Sequence, residues 1–191
     1  MLSTLQQRLA SYYALEASPN ILDFVRAVAD DQREALLVRE QDDSVELALL
    51  LPESILAEDE ERSIKLDAVL QAVEGVSHFV FLVERVRQGL PTTRLELELQ
   101  AEVDKFVLLA LAERHTGAKE RFALRHALFE QVSYLHSAGS EEGDRYRLAN
   151  ALAARYVRRF DPEATGGTVR AELCRFYRAS QGDKIRMAQA A

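Results

Sequence analysis

Tryptophan is absent from this chain, and cysteine, proline and glycine are scarce. The single cysteine, Cys174, excludes an internal disulfide, so packing and hydrogen bonds have to hold the fold together. Four prolines and eight glycines, set against abundant Ala, Leu, Glu and Arg, are typical of a helical protein. A chain of 191 residues can bury about 70% of its unfolded surface around one core, and we expect a single domain over residues 1–191.

Long hydrophobic runs are also missing. The longest cover residues 47–52 and 106–112, whereas a membrane-spanning helix needs about 20 apolar residues. Residues 1–8 lack the basic head and the apolar centre of a secretory signal. We therefore expect no membrane association and a cytoplasmic location. Arg outnumbers Lys by 20 to 4, which favours a bacterial source.

Charge is distributed unevenly along the chain, whose net charge is −7. Residues 1–63 carry 14 acidic and 5 basic side chains, whereas residues 141–191 carry 7 and 10. Opposite charges at the two ends favour docking of a protein partner, or of a second copy in a homodimer. Pairing of the two ends within one chain is the alternative explanation.

The N-terminal third combines helical and extended patterns. Apolar residues recur at helical spacing over residues 3–15, and Ser18 followed by Pro19 predicts the start of a second helix through Val28. Two apolar runs, 34–40 and 45–51, flank a polar break and predict a β-hairpin. Because two strands alone are marginal in water, this hairpin has to pack on helices or pair with another strand.

Two long helical patterns follow, over residues 64–88 and 93–114. In residues 95–99 leucine alternates with glutamate, as apolar and polar residues do in a strand. A helix is favoured because Thr93 and Glu96 have the spacing of a capping box and because the apolar residues further along recur at helical spacing. We predict a predominantly helical α+β fold. It is a helical bundle around this central antiparallel helix hairpin, with one N-terminal β-hairpin.

Further helices are predicted over residues 119–137, over residues 140–160 and from residue 168 onward. Residues 1–62 then form an entry segment of two helices and the β-hairpin, and residues 63–182 form the bundle. Residues 183–191 are expected to be a frayed tail.

One group of ionisable residues on the central hairpin predicts a metal site. Glu74 and His78 stand four apart on one face of their helix, as do His126 and Glu130 on a later helix. Folding the hairpin back places His78 level with Asp104, so Glu74, His78 and Asp104 are the candidate ligands. We favour the competing interpretation, because the Glu-x-x-His spacing of helical carboxylate sites is missing. In it Glu74, His78 and Arg85 form a solvated or salt-bridged stripe, and His78 with Asp104 is a buried hydrogen-bonded pair without a cofactor.

Two carboxylates, Glu84 and Glu102, fall within or beside the apolar faces of the central helices. A buried carboxylate either has a raised pKa or is paired, and we favour pairing with nearby arginines. The alternative is a metal- or carboxylate-dependent enzyme that uses Glu74, His78, Glu102 and Asp104. General acid–base catalysis also needs a nucleophile or a substrate-binding motif, which the sequence does not display.

Arginine and tyrosine alternate in the C-terminal helices. Guanidinium groups bind phosphate and aromatic rings stack on bases, so this pattern predicts a nucleic-acid or nucleotide surface. Because the net charge is negative, we favour a basic surface that docks a protein partner instead. The arginines concerned are Arg145, Arg147, Arg155, Arg158 and Arg159.

Catalytic motifs do not stand out. The sequence contains no Gly-rich phosphate loop, no Gly-x-Ser-x-Gly and no Cys-x-x-Cys, so we predict no catalytic residue. Cys174 is expected to pack as a small hydrophobic residue. The favoured function is a protein-interaction module that serves as an adaptor, accessory subunit or regulator; the alternatives are the metal- or carboxylate-dependent enzyme and nucleic-acid binding.

Overall fold

A computed structural model describes residues 1–16, 18–41, 44–57, 66–111, 118–160 and 166–190. Within these ranges the chain is predominantly helical with a small N-terminal sheet, which confirms the predicted α+β class. In chain order the elements are α1 (Leu2–Tyr13), β1 (Val25–Val28), β2 (Ala35–Gln41), β3 (Ser44–Pro52), α2 (Glu53–Leu56), α3 (Leu66–Arg87), α4 (Arg94–Phe106), α5 (Ala118–Phe129), α6 (Glu141–Arg158), α7 (Gly166–Arg178) and α8 (Gln181–Gln189).

The predicted β-hairpin is confirmed and gains a third strand. Strands β2 and β3 are antiparallel, and β1 pairs in parallel with the other edge of β3, which gives the order β1-β3-β2. The prediction of a second helix through Val28 is wrong beyond one 3₁₀ turn, Ile21–Asp23. The β-branched residues Val25 and Val28 suit a strand, and the backbone of β3 offers them partners that local sequence cannot reveal.

The core forms where α3 packs against the inner face of the sheet, α1 and α4. Leu49 and Leu51 of β3 and Phe79 and Phe81 of α3 are fully buried. Burying each such side chain contributes roughly 1.5–3 kcal/mol before the cost in conformational entropy. The segment that the sequence places at the centre of the fold is therefore central in the structure.

The second central segment is helical, as predicted. The Thr93 hydroxyl accepts a hydrogen bond from the Glu96 backbone N–H, and the Glu96 carboxylate accepts one from the Thr93 backbone N–H, so the capping box forms. After Phe106 the helix widens into a π-helical turn, Val107–Leu111. Residues 64, 65 and 112–114, which complete the predicted hairpin, lie outside the described residues.

Helix α3 has the length and hydropathy of a membrane span, with a mean hydropathy of 1.5 over its most apolar 18 residues. It is the one described helix with these properties. In this fold 61% of that window is buried inside the protein.

Two C-terminal boundaries differ from the predictions. Helix α5 ends at Phe129, so the predicted helix 119–137 is too long, and the following residues run to the Ser140 cap of α6 without helical structure. The prediction of a frayed tail is also wrong, because α8 packs on α6 and buries Lys184 and Ala188 completely. A charged lysine gives no sequence signal of a buried helix face, which is why the pattern missed α8.

Candidate functional site

The ribbon formed by β2 and β3 exposes apolar side chains. Leu37, Val38 and Val45 are 53%, 45% and 37% exposed. Within the described residues β2 pairs only with β3, so its outer edge presents unpaired backbone groups. One exposed ion pair, Arg39 with Glu46, crosses the ribbon. An apolar ribbon with an open edge is a surface on which an extended chain can dock.

The predicted arginines do not form one continuous surface. Arg145 is mostly buried and faces Glu98, with 3.9 Å between Nε and Oε1. Arg147 donates from Nη1 to the backbone oxygens of His136 (3.0 Å) and Gly143 (2.8 Å), and its guanidinium lies over the ring of Tyr134. These two arginines are therefore engaged within the fold.

The remaining arginines divide between the fold and solvent. Arg159 donates to the backbone oxygen of Met187 at 3.1 Å and covers the ring of Tyr156. Arg155 and Arg158 are exposed, as is Arg159 itself. A polyanion would consequently meet three exposed arginines near the end of α6 rather than all five in one basic stripe.

The two carboxylates on the apolar faces are paired, as the sequence predicts. Glu84 lies 2.9 Å from Nη2 of Arg87, and this hydrogen bond lowers the pKa of Glu84. Glu102 lies 2.8 Å from Nζ of Lys105, so a lysine holds it rather than an arginine. Burial opposes the charge of Lys105, but Glu102 and Glu74 on either side outweigh burial and raise the pKa of the ammonium. Both glutamates have structural partners.

Asp104 does not meet His78, so the predicted pairing is wrong. The Asp104 carboxylate is completely buried and accepts hydrogen bonds from the hydroxyls of Tyr13 and Ser77 and from the side-chain amide of Gln100. Burial raises the pKa of Asp104 to about 6. The residue of α3 that faces Asp104 is Ser77, and one residue further along the helix turns the side chain by about 100°.

A buried lysine extends this hydrogen-bonded network. Lys184 of α8 donates from Nζ to Gln100 Oε1 at 2.8 Å, and its ammonium lies 4.0 Å from the centre of the Phe81 ring. Burial lowers the pKa of Lys184 to about 7. The network joins the two ends of the chain, α1 and α8, to the central helix α4.

His78 instead lies between two glutamates. Its Nδ1 is 3.1 Å from Glu34 Oε1, and its Nε2 is 3.5 Å from Glu98 Oε2. Glu34 precedes β2 and Glu98 lies on α4, so three separate parts of the chain converge here. Gly75 makes the approach possible, because a Cβ at this position would lie only 2.9 Å from Glu34 Cγ.

Glu74 completes a cluster with His78 and Glu98, in which one donor atom from each residue lies within 4.8 Å of the others. Glu74 Oε2 also accepts a hydrogen bond from Lys105 Nζ at 2.9 Å. The structure thus brings together Glu74 and His78 of the predicted metal ligands, but places Glu98 where the sequence predicted Asp104. The cluster formed by Glu34, Glu74, His78, Glu98 and Glu102 is called the carboxylate–histidine cluster below.

Electrostatics in this cluster favour a positive charge. Burial disfavours the charged form of His78, but Glu34 and Glu98 outweigh burial and raise its pKa well above the usual value. Burial also raises the pKa of Glu34, while His78 opposes that rise. The two carboxylates therefore stabilise a positive charge on the buried ring.

A cleft of about 390 Å³ adjoins the cluster. Glu34, Glu74 and Glu102 reach its floor together with Lys105, and the non-helical residues 131–136 form part of its wall. Tyr134 and Tyr146 add aromatic surface. The cleft has the size of a small-molecule site. It reaches Glu34, Glu74 and Glu102 of the cluster, whereas His78 and Glu98 are not among its lining residues.

Two other sequence candidates remain isolated. His126 and Glu130 form an exposed pair, with 2.8 Å between Nδ1 and Oε2, and they take no part in any three-residue group among the described residues that could hold a metal ion. Cys174 is half-buried, with its thiol 3.6 Å from the backbone oxygen of Tyr12. Neither adds to the carboxylate–histidine cluster.

Comparison with known proteins gives no relative: no family model, no curated protein and no solved structure matches this chain.

Proposed function

We propose that this protein is a protein-interaction module, an adaptor, accessory subunit or regulator, that binds an extended segment of a partner protein along β2. The observation that carries the proposal is the exposure of Leu37, Val38 and Val45 beside the open edge of that strand. An added strand satisfies the free backbone groups of the edge and covers apolar side chains at the same time.

The chemistry of the ribbon indicates the kind of segment that fits. Residues 31–46 carry six acidic side chains and two basic ones. A partner strand that alternates apolar with basic residues would complement both the side chains and the charge. A second copy of this chain is a further occupant to test, because its residues 141–191 are basic.

The nucleic-acid alternative has less support. Arg147 and Arg159 donate to backbone oxygens within the fold, and Arg145 faces Glu98. Binding a phosphate would have to compete with these contacts. The alternative predicts binding that weakens steeply with salt concentration, which a titration at two salt concentrations measures.

Site-specific photo-cross-linking in the native cell tests the interaction. A photoreactive amino acid replaces Leu37 in one variant and Leu148, a similarly exposed residue of α6, in the control; the two are 53% and 47% exposed. We expect a discrete adduct from position 37 alone, and we expect Val38→Lys to remove it, because a buried lysine disfavours docking.

The mass of the adduct distinguishes a partner protein from a second copy of this chain, because a cross-linked dimer has twice the mass of the chain. Sequencing of the cross-linked peptide then shows whether it alternates apolar with basic residues. Identical adducts from positions 37 and 148, or none from position 37, would contradict the proposal.

A further inference from the structure

We infer that Glu74, His78 and Glu98 bind one divalent transition-metal ion, with Glu34 as the residue that positions the imidazole. This inference concerns the interior beside the cleft, and it is independent of the proposed interaction at β2.

The first support is the geometry of the donors. Around an ion about 2.1 Å from each ligand atom, tetrahedral coordination places the donors about 3.4 Å apart. The three donor atoms already lie within 4.8 Å of one another. The widest separation therefore has to close by at most about 1.4 Å, which side-chain rotation supplies.

The second support is a buried nitrogen without a hydrogen bond. His78 is only 6% exposed, and its Nε2 makes no hydrogen bond to the described part of the chain, because the contact with Glu98 is long at 3.5 Å. Leaving such an atom unpaired costs about 1–3 kcal/mol. The nitrogen points at Glu98, and an ion between the two would satisfy both groups.

The third support is the tautomer that Glu34 imposes. Glu34 Oε1 lies 3.1 Å from Nδ1, and in a neutral ring this contact with an ionised carboxylate favours the tautomer that carries its proton on Nδ1. Nε2 of a neutral ring is then the free donor atom for a metal. A carboxylate behind a ligating histidine orients the ring and strengthens it as a ligand.

Charge balance agrees with a divalent ion. Four carboxylates meet in this cluster, those of Glu34, Glu74, Glu98 and Glu102, and two cations, Lys105 and Arg145, stand beside them. With His78 neutral, two negative charges remain in excess. An ion of charge +2 would neutralise them in a buried site where an uncompensated charge is costly.

Neighbouring groups leave the donor atoms available. Lys105 uses Oε2 of Glu74, so the second oxygen of that carboxylate can turn toward the ion. Arg145 faces Oε1 of Glu98 and leaves Oε2 on the side of His78. Arg145 Nε makes no hydrogen bond within the described ranges, so it can hold Glu98 once that carboxylate rotates.

The ligand types indicate the class of metal. One imidazole and two carboxylates suit zinc, cobalt, manganese or iron, whereas magnesium and calcium prefer oxygen ligands alone. Three protein ligands leave at least one coordination position free, as in catalytic rather than structural zinc sites. That position would take a water molecule or an oxygen donor from a ligand in the adjoining cleft.

Cobalt is the probe that tests the site, because its visible absorption reports ligand number. Titration of the metal-free full chain with CoCl₂ is followed by calorimetry and by absorption, with MgCl₂ as the comparison ion. We expect one Co²⁺ per chain, a visible band of four- or five-coordinate cobalt, and no comparable binding of Mg²⁺. His78→Gln and Glu98→Gln should each weaken Co²⁺ binding by more than about 100-fold, and Glu34→Gln by about 10- to 100-fold.

A matched control separates this site from adventitious binding. His126→Gln removes the exposed histidine of a Glu/His pair with the same four-residue spacing. This variant should bind Co²⁺ within about threefold of the parent chain. Circular dichroism shows whether each variant is folded. If His78→Gln does not fold, the Co²⁺ affinity of Glu98→Gln tests the site instead.

Three results would overturn the inference. The first is absence of Co²⁺ binding at concentrations up to about 1 mM, where the binding free energy is only about −4 kcal/mol. The second is unchanged binding in folded Glu98→Gln, and the third is loss of binding in His126→Gln.

Discussion

Glu34 and His78 lie 44 positions apart in the sequence, yet their side chains meet at 3.1 Å in the interior. The contact joins the start of the β-ribbon to the middle of the central helix α3. Because both side chains are more than nine-tenths buried, each depends on the other for a polar partner. The position of the ribbon and the geometry of the carboxylate–histidine cluster are thus coupled.

Gly75→Ala tests how closely Glu34 must approach α3. An added Cβ would lie 2.9 Å from Glu34 Cγ and 3.0 Å from Leu49 Cδ1, so the ribbon has to shift. We expect a loss of about 1–3 kcal/mol in the free energy of unfolding, measured by urea denaturation. Gly182→Ala is the control, because its nearest contact would be 3.6 Å away; this helical position should be neutral or stabilised by up to about 1 kcal/mol.

Thr93→Ala tests the start of α4. The substitution removes the hydroxyl that accepts the Glu96 backbone N–H and should lower the free energy of unfolding by about 1 kcal/mol. Thr4→Ala, on an exposed position of α1, should change it by less than about 0.5 kcal/mol. Equal effects of the two substitutions in thermal or urea unfolding would show that the cap contributes nothing.

Lys184→Met tests the buried lysine through the pH dependence of stability. The folded chain releases the Lys184 proton near pH 7, whereas the unfolded chain keeps it up to about pH 10.5. Between these values the unfolded state binds more protons, so the free energy of unfolding should rise with pH, by up to about 1.4 kcal/mol per unit. Below pH 7 both states are protonated and this contribution to the slope is lost.

Urea denaturation at pH 7.5, 8.5 and 9.5 measures the slope in the parent chain and in Lys184→Met. The charged neighbours that act on Lys184 are Glu96, Asp104 and Arg85. The variant retains all three and should lack the rise. A slope that persists unchanged in the variant would assign the pH dependence to other groups.

Leu37→Lys tests whether the apolar ribbon serves binding rather than folding. Leu37 is 53% exposed and lies on the face of β2 opposite the inward-facing Leu36, so its replacement should change the free energy of unfolding by less than about 0.5 kcal/mol. Leu49→Lys, on the buried face of β3, should by contrast prevent stable folding. A large destabilisation by Leu37→Lys in urea would mean that this side chain is needed for the fold itself.

Local signals predicted the central hairpin correctly. The capping box of Thr93 and Glu96 marks the start of α4. Gly89, with a positive φ of 64°, follows the end of α3. Such caps depend on a few adjacent residues, so a single sequence displays them. Strand β1 depends instead on the edge of β3, 24 positions further on, and its sequence alone resembled a helix.

The site was predicted only in part, for a related reason. Glu74 and His78 could be paired from helical spacing, but their partners on other elements depend on the rotation of α3 against α4. Ser77, not His78, faces Asp104. The predicted position along α3 was therefore wrong by only one residue, but that residue points to a different side of the helix. Glu34 and Glu98 carried no signal of their own, because acidic residues are frequent throughout this chain.

The convergence of Glu74, His78 and Glu98 is tested most directly by a crystal structure of the cobalt-loaded chain, with anomalous data collected at the cobalt absorption edge. We predict one dominant anomalous peak about 2.1 Å from His78 Nε2 and within bonding distance of one oxygen each of Glu74 and Glu98. A peak at His126 and Glu130 instead, or none beside His78, would contradict the assignment.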